Sequence, residues 1–214
     1  MKKFVHIVFI LAILASNATF AQEVITVKLK NGNKYTGTLD SHSRLSGYGT
    51  MQFANGDRYD GYWLKGHQHG EGIYTYASGG RYEGNWEEGH IKGEGTFYFQ
   101  NGDVMHANFT DGDNHTGYGT YTYAKGGSYE GDMVEGQPEG EGTRTWPNGA
   151  VYTGQWKAGR MSGQGKYTFA SGATYIGAWE NGKYNGEGIY TDANGNATHA
   201  IYQDGKAVQT IAEE

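Results

Sequence analysis

The chain has 214 residues, a net charge of −6 at neutral pH and no cysteine. The composition excludes disulfide bonds, thiolate nucleophiles and lipidated cysteines, and its acidic balance disfavours nucleic acid, whose phosphates are themselves anionic. The chain carries 18 Tyr and 5 Trp among 37 Gly. We therefore expect large rings, packed beside residues that lack a side chain, to supply most of the buried apolar surface.

Residues 1–21 have the pattern of a secretory signal peptide. Lys2 and Lys3 precede an apolar run from Phe4 to Ala15, and small and polar residues complete the segment. The apolar run is shorter than the roughly 20 residues that a membrane span needs, which disfavours an uncleaved anchor. We predict an exported protein that resides in the periplasm or outside the cell, with the cell surface included.

Residues 22–34 are predicted to form an N-terminal capping strand. Val27 and Leu29 share one strand face and Lys28 and Lys30 the other, ahead of an Asn-Gly turn. This pattern matches the second half of a repeat whose first half is missing. A strand of this kind would cover the first edge of a sheet, as terminal repeats do in stacked-repeat proteins.

A repeat of 23 or 24 residues begins at Tyr35. In a good copy, Tyr59, Gly61 and Trp63 are followed by spaced glycines and then by Tyr74 and Tyr76. The copies start at Tyr35, Tyr59, Tyr82, Met105, Tyr129, Tyr152 and Tyr175, and a decayed copy starts at Thr198. We predict a repeat array over residues 35–197, with a degenerate repeat and a polar tail over residues 198–214.

Alternation of residue types assigns the two faces of the strands. Tyr59, Gly61 and Trp63 fall on one face, whereas Asp60 and Tyr62 fall on the other. Each repeat has two such arms joined by glycine-bearing turns, so it predicts a β-hairpin, and successive hairpins continue as an antiparallel meander. The predicted fold is all-β: an elongated single-layer antiparallel β-hairpin meander of about seven repeats, with terminal capping strands and about 16 strands.

Glycines of the Gly-x-Gly arm share the aromatic phase. Gly70 and Gly72 are the example in the second repeat. We expect the missing side chain at both positions to let a neighbouring Tyr or Trp ring lie over the backbone.

The pattern Tyr-x-Gly-x-Trp-x-x-Gly-x-x-x-Gly-x-Gly resembles the MORN ("membrane occupation and recognition nexus") repeat. The resemblance covers residues 35–205 approximately and implies a hairpin solenoid that acts as a non-catalytic scaffold or interaction module. MORN arrays in other proteins act in organisation, dimerisation, protein binding and, in some proposals, phospholipid binding. The chain departs from the pattern at Met105, Ala107, Phe109 and Met133, where we expect altered local curvature.

Two sets of residues are candidates for binding a partner. The aromatic face is mainly a packing surface in this interpretation, with a ligand groove as the alternative. Its candidate residues are Tyr59, Trp63, Tyr82, Trp86, Tyr152, Trp156, Tyr175 and Trp179. Wider turns that vary between copies are predicted to carry specificity, through His67, His69, His90, Lys92, Arg160, Lys183 and Tyr184.

Catalytic, metal and cofactor sites are not predicted. A phosphate loop at Gly70-Glu71-Gly72 would need a following helix. A metal site at His67, His69 and His90, or a calcium site in the acidic turn around Asp111, Asp113 and Asn114, is less favoured than a solvated turn. The histidines and carboxylates are scattered with nothing to pair them for catalysis, and no small-molecule substrate is evident.

The sequence therefore favours an exported, non-enzymatic scaffold that binds another protein or a second copy of itself. The alternative is a peripheral phospholipid-binding module, which the acidic charge and the lack of a basic amphipathic helix oppose. Glycan binding through exposed rings is a third hypothesis and has no motif behind it.

Overall fold

The computed structural model describes residues 22–111 and 114–212. The predicted signal peptide lies outside these residues. Within them, 17 strands form a single sheet. The strands are β1 (Ile25–Lys28), β2 (Lys34–Leu39), β3 (Leu45–Gln52), β4 (Arg58–Leu64), β5 (His67–Thr75), β6 (Arg81–Glu87), β7 (His90–Tyr98), β8 (Val104–Asp111), β9 (Thr116–Thr122), β10 (Ser128–Val134), β11 (Gln137–Thr145), β12 (Val151–Lys157), β13 (Arg160–Thr168), β14 (Thr174–Glu180), β15 (Lys183–Thr191), β16 (Ala197–Gln203) and β17 (Lys206–Thr210).

Each strand pairs antiparallel with the next strand in the chain, from β1–β2 through to β16–β17. This arrangement confirms the predicted meander. At about 4.8 Å between strands, the sheet is on the order of 75 Å long. Within the predicted polar tail, residues Lys206–Thr210 form a further strand, β17. Asp204 and Gly205 both adopt positive φ, which closes a tight hairpin and pairs Tyr202 with Ala207.

The two ends of each hairpin use different turns. Between repeats, the Phe53 carbonyl accepts a hydrogen bond from the Gly56 amide at 3.0 Å, and Gly56 has φ 93°. Within a repeat, Lys65 and Gly66 have φ 51° and 94°, as a two-residue type I′ turn requires. The predicted glycine-bearing turns therefore do carry positive φ at glycine.

The prediction of wider turns within each repeat is wrong. The seven candidate specificity residues, His67, His69, His90, Lys92, Arg160, Lys183 and Tyr184, all lie in strands β5, β7, β13 or β15. Pairing resumes at once after the tight turn, as in Leu64↔His67. The Gly66 amide also donates to the Leu45 carbonyl of the preceding hairpin at 2.9 Å, so neighbouring repeats hold the turn in place.

A row of glycines crosses the sheet and receives the buried rings. The row runs through Gly37, Gly49, Gly61, Gly72, Gly84, Gly95, Ala107, Gly119, Gly131, Gly142, Gly154, Gly165, Gly177, Gly188 and Ala200. A Cβ added at Gly72 would lie within 3.0 Å of the Tyr59 ring, so the expectation of a ring over the backbone is confirmed there. It is wrong for Gly70, which sits in a bulge with φ 62° and faces Tyr62.

Candidate interaction faces

The predicted aromatic binding face is the core of the sheet. We call the face that carries these rings the inner face and the opposite one the outer face. The eight candidate rings have exposures of 0% at the tyrosines and 5 to 6% at the tryptophans: Tyr59, Trp63, Tyr82, Trp86, Tyr152, Trp156, Tyr175 and Trp179. The Tyr59 ring meets Trp63 and Trp86 edge-on at centroid distances of 5.1 and 5.3 Å. A ligand could reach Tyr59 only by displacing these neighbours.

Each core tyrosine hydroxyl is also satisfied within the fold. Tyr59 Oη donates to the Tyr62 carbonyl at 2.9 Å, and Tyr152 Oη donates to the Gln155 carbonyl at 2.9 Å. Burial raises the pKa of Tyr152 to about 12, so its hydroxyl is neutral at physiological pH. These hydroxyls are structural groups with no proton to exchange in that range.

Rings of the second arm of each hairpin remain partly exposed on the inner face. We call these the second-arm rings: Phe53, Tyr74, Tyr76, Phe99, Tyr121, Tyr123, Trp146, Tyr167, Phe169 and Tyr190. Neighbouring members touch, with centroid distances of 4.8 Å for Tyr74–Tyr76 and 4.7 Å for Tyr121–Tyr123. The candidates predicted from the sequence were the first-arm rings. The accessible aromatic surface is therefore formed by a different set.

Two aspartates in the turns between repeats fasten successive hairpins together. Asp57 accepts hydrogen bonds from the Tyr74 hydroxyl at 2.7 Å and from the Ala77 amide at 2.8 Å. Two repeats further along the chain, Asp103 accepts the equivalent hydrogen bonds from the Tyr121 hydroxyl and the Ala124 amide. Burial alone would raise the pKa of Asp57, but the hydrogen bonds donated to it hold that pKa below its usual value. The second-arm rings Tyr74 and Tyr121 are thereby fixed in position.

Arg144 occupies a position on the inner face where other repeats carry a ring. Register pairing places it in the row Tyr35, Met51, Tyr59, Tyr74, Tyr82, Phe97, Met105, Tyr121, Tyr129, Arg144, Tyr152, Tyr167, Tyr175, Tyr190 and Thr198. Its Cζ lies 4.2 Å from the ring centroid of Tyr123 and 5.3 Å from that of Trp146. Arg144 was not among the residues predicted from the sequence, although the repeat alignment places a charged side chain there in a column of aromatic residues.

The seven candidate specificity residues do not converge on one site. They follow successive hairpins along one side of the sheet. Lys92 pairs with Glu87 at 2.7 Å and Lys183 with Asp204 at 3.1 Å, in exposed ion pairs that contribute little to stability. Tyr184 instead stacks on Tyr175 with centroids 3.9 Å apart. In residues 22–111 and 114–212, no three histidine or acidic side chains come together as metal ligands would.

The outer face carries paired charges together with exposed apolar side chains such as Ile73, Ile176 and Ile189. Arginines there are matched by carboxylates, as in Arg58–Asp60 and Arg81–Glu83. Two exposed tyrosines, Tyr48 and Tyr62, meet edge-on at 5.6 Å near the N-terminal end. Among the described residues, no helix is long and apolar enough to span a bilayer.

These features define a class of protein: a single-layer β-repeat scaffold whose first-arm rings form its own core. The profile of the MORN repeat family matches residues 41–58, 59–81, 82–104, 112–128, 129–151, 152–174 and 175–197. The chain belongs to the MORN repeat family. The match omits the first arms that begin at Tyr35 and Met105, where the repeat pattern is incomplete or weakest.

One similar solved structure shares the fold, and a second shows a weaker similarity. The G-box domain of the microcephaly protein CPAP, for which a role in centriole elongation is suggested, is 16% identical with a TM-score of 0.51, covering 90% of this chain and all of that domain. The TCP10 domain of Danio rerio CPAP in complex with a peptide of Danio rerio STIL is 12% identical with a TM-score of 0.42, covering 89% of this chain and 100% of that one. No curated protein shows significant sequence similarity to the chain.

Proposed function

We propose that this protein is an exported, non-enzymatic scaffold that binds an extended segment of another protein along its inner face. The observation that carries the proposal is the line of second-arm rings, which stay partly exposed beside a fully buried core. Aromatic side chains are enriched in protein interfaces, where they contribute large contact areas at a small cost in conformational entropy. A long row of rings fits an extended peptide better than it fits a small molecule.

The chemistry of the described residues supports a binding role rather than catalysis. Tyr hydroxyls of the core such as Tyr59 and Tyr152 donate to backbone carbonyls, and carboxylates with lowered pKa values, such as Asp57 and Asp103, are engaged in turns. Neither arrangement sets an acid and a base beside an open site, as general acid–base catalysis requires. Membership of the MORN family is consistent with a scaffold.

Peripheral binding to phospholipid is the rival function, and the net charge of −6 opposes it at an anionic membrane.

The proposal of export rests on the composition of residues 1–21 alone. Cell fractionation with N-terminal sequencing tests it, and we expect a mature chain that begins at Gln22. Retention of Lys2 and Lys3 on the cytoplasmic protein would contradict export.

The binding proposal is tested by capture of partners on the purified 22–214 protein. One variant carries Phe99→Ser and Phe169→Ser, which remove two partly exposed inner rings, and the matched control carries Tyr48→Ser and Tyr62→Ser on the outer face. We expect a protein captured by the wild type to be lost with the inner-face variant and kept with the control. Circular dichroism verifies that both variants fold.

Three outcomes would contradict the proposal. Equal capture by both variants would place binding elsewhere. Co-flotation with phosphatidylserine vesicles, without any captured protein, would favour the phospholipid module. If light scattering shows a dimer that only the inner-face variant breaks, the partner is a second copy of this chain.

A further inference from the structure

We infer that Arg144 anchors a single carboxylate of the bound segment, so that the inner face selects a peptide with one acidic residue set among apolar ones. This inference rests on the proposed peptide-binding function and names the chemistry of the partner. Arg144 interrupts a row of rings at a point where Tyr74, Tyr121, Tyr167 and Tyr190 stand in other repeats.

The charge of Arg144 has no counter-ion in the described part of the chain. Among the arginines of the described chain, Arg44, Arg58 and Arg81 pair with Asp40, Asp60 and Glu83, whereas Arg144 and the strand-end residue Arg160 have no carboxylate within ion-pair distance. Its hydrogen-bond partner is the Tyr123 hydroxyl, at 2.9 Å from Nη1. Burial raises the pKa of Tyr123 despite the nearby cation, so this partner is neutral.

Several N–H groups of the guanidinium are still available. A guanidinium has five donors, and Arg144 Nε is buried without a hydrogen-bond partner among the described residues. A charged donor set in an apolar surrounding costs free energy until an acceptor reaches it. The residue as a whole is only partly buried, so the inference requires a ligand on the inner face to reach the Nη groups rather than the buried Nε. A carboxylate matches its planar fork with two parallel hydrogen bonds.

Arg81 provides an internal comparison. Its Cζ lies 3.9 Å from the ring centroid of Tyr98, much as Arg144 lies over Tyr123, but Glu83 neutralises it on the outer face. The two residues thus share the cation–π contact and differ in the carboxylate. Arg81 has its carboxylate within the chain, and we infer that the carboxylate for Arg144 comes from the partner.

The surroundings of Arg144 determine how acidic the partner is. The Tyr123 and Trp146 rings both lie close to the guanidinium on this face, so the residues flanking the carboxylate are expected to be apolar or aromatic. A strongly acidic segment is disfavoured, because the chain itself carries a net charge of −6 and Arg144 is the one charged residue of its row in the described chain.

The test is a selection of peptides followed by a double-mutant cycle. A random 12-residue library displayed on phage is panned against the 22–214 protein, and the best peptide is synthesised with its acidic residue and with the matching amide. Affinities are measured by fluorescence anisotropy for the wild type, Arg144→Tyr and the control Arg81→Gln. Arg144→Tyr restores the residue type found at Tyr121 and Tyr167, so it is expected to keep the fold, which circular dichroism verifies.

We expect selected peptides to contain an Asp or Glu beside apolar residues. Arg144→Tyr and the amide peptide should each weaken binding about tenfold or more, and the two changes together should weaken it no further. Arg81→Gln should leave affinity unchanged. Arg144→Lys, which keeps the charge but loses the fork, should recover part of the affinity.

The inference is overturned if selected peptides show no preference for a carboxylate, or if Arg144→Tyr binds them as the wild type does. Should such peptides still lose affinity to the Phe99→Ser, Phe169→Ser variant, the proposed inner-face function stands without the role of Arg144. Arg144-dependent flotation with phosphatidylserine vesicles, in place of peptide selectivity, would also overturn it and assign the cation to a headgroup.

Discussion

Substitution of Gly72 by Ala should destabilise the protein far more than a one-carbon change usually does. The added Cβ would lie within 3.0 Å of Oη, Cε2 and Cζ of Tyr59, a ring with 0% exposure. This ring cannot move aside, because Trp63 and Trp86 meet it edge-on at 5.1 and 5.3 Å. The substitution therefore displaces the ring or separates the strands.

The expected cost has three parts. Overpacking a filled core costs about 1 to 3 kcal/mol. Loss of the hydrogen bond from the Tyr59 hydroxyl to the Tyr62 carbonyl adds about 1 kcal/mol. Weakening of the ring pairs adds about 0.5 to 1.5 kcal/mol. We expect a loss of about 3 to 5 kcal/mol in the free energy of unfolding.

Gly182→Ala is the matched control. A Cβ at Gly182 meets no atom within 4 Å, but the residue has φ 80°, so the substitution should cost only the left-handed backbone penalty of about 1 to 2 kcal/mol. Urea unfolding of the 22–214 protein, followed by tryptophan fluorescence and by circular dichroism, measures both variants. Two probes are needed because repeat arrays can unfold in parts.

Tyr59→Phe tests whether a clash with the Tyr59 ring causes the destabilisation by Gly72→Ala. It removes Oη, one of the three atoms that the new Cβ would meet, and the hydrogen bond that Gly72→Ala also breaks, so Gly72→Ala combined with Tyr59→Phe should be less destabilised than the sum of the single variants. Equal stabilities for Gly72→Ala and Gly182→Ala, or strict additivity with Tyr59→Phe, would refute the idea that the ring locks the glycine row.

Three further predictions concern pH and the C-terminal strand. The carboxyls of Asp57 and Asp103 have folded pKa values below the ordinary one, so their contribution is full above about pH 4 and is lost as pH falls through the lowered values; Asp57→Asn should flatten acid unfolding curves. Burial lowers the pKa of His115, so stability should fall as pH drops below about 6.5, and His115→Phe should remove that slope in melting temperatures. Deletion of residues 204–214 should leave the array folded by circular dichroism, because β17 is exposed along its length.

Each of these predictions has a contrary result. An unchanged acid midpoint for Asp57→Asn would mean that its hydrogen bonds carry no net free energy. A pH slope that survives His115→Phe would have to come from other groups. Global unfolding on loss of residues 204–214 would show that β17 holds the end of the sheet together.

The period and the phase of the sequence predicted the sheet, since both depend only on which residues recur. Tyr59, Gly61 and Trp63 do share the inner face, and Gly72 does receive the Tyr59 ring. The tight turns were not predicted because Lys65 adopts φ 51°, and Gly66 bonds to Leu45 of the preceding hairpin. Contacts from a neighbouring repeat are invisible to a reading of one repeat alone.

The candidate site was less predictable than the fold for a related reason. Face assignment cannot tell a buried ring from an exposed one on the same face, and the difference between Tyr59 and Tyr76 arises from the rings packed around them. Selection of the largest rings as a binding surface therefore identified the core. The repeat alignment shows that Arg144 replaces a ring. Only the structure shows that no carboxylate of the described chain pairs with it.

The two arms of each repeat differ in burial, and this difference explains at which positions the sequence can vary. First-arm positions fill a single-layer core, so even the departures Met105 and Met133 remain apolar and buried. Most second-arm positions are partly exposed, although Met51 and Phe97 are buried, and there the row accepts a cation at Arg144 without loss of the sheet. Because a repeat scaffold keeps its fold through one arm, the other arm is free to acquire specificity, one repeat at a time. The cation at Arg144 contacts the Tyr123 and Trp146 rings, and we propose that recognition of a partner is its further role.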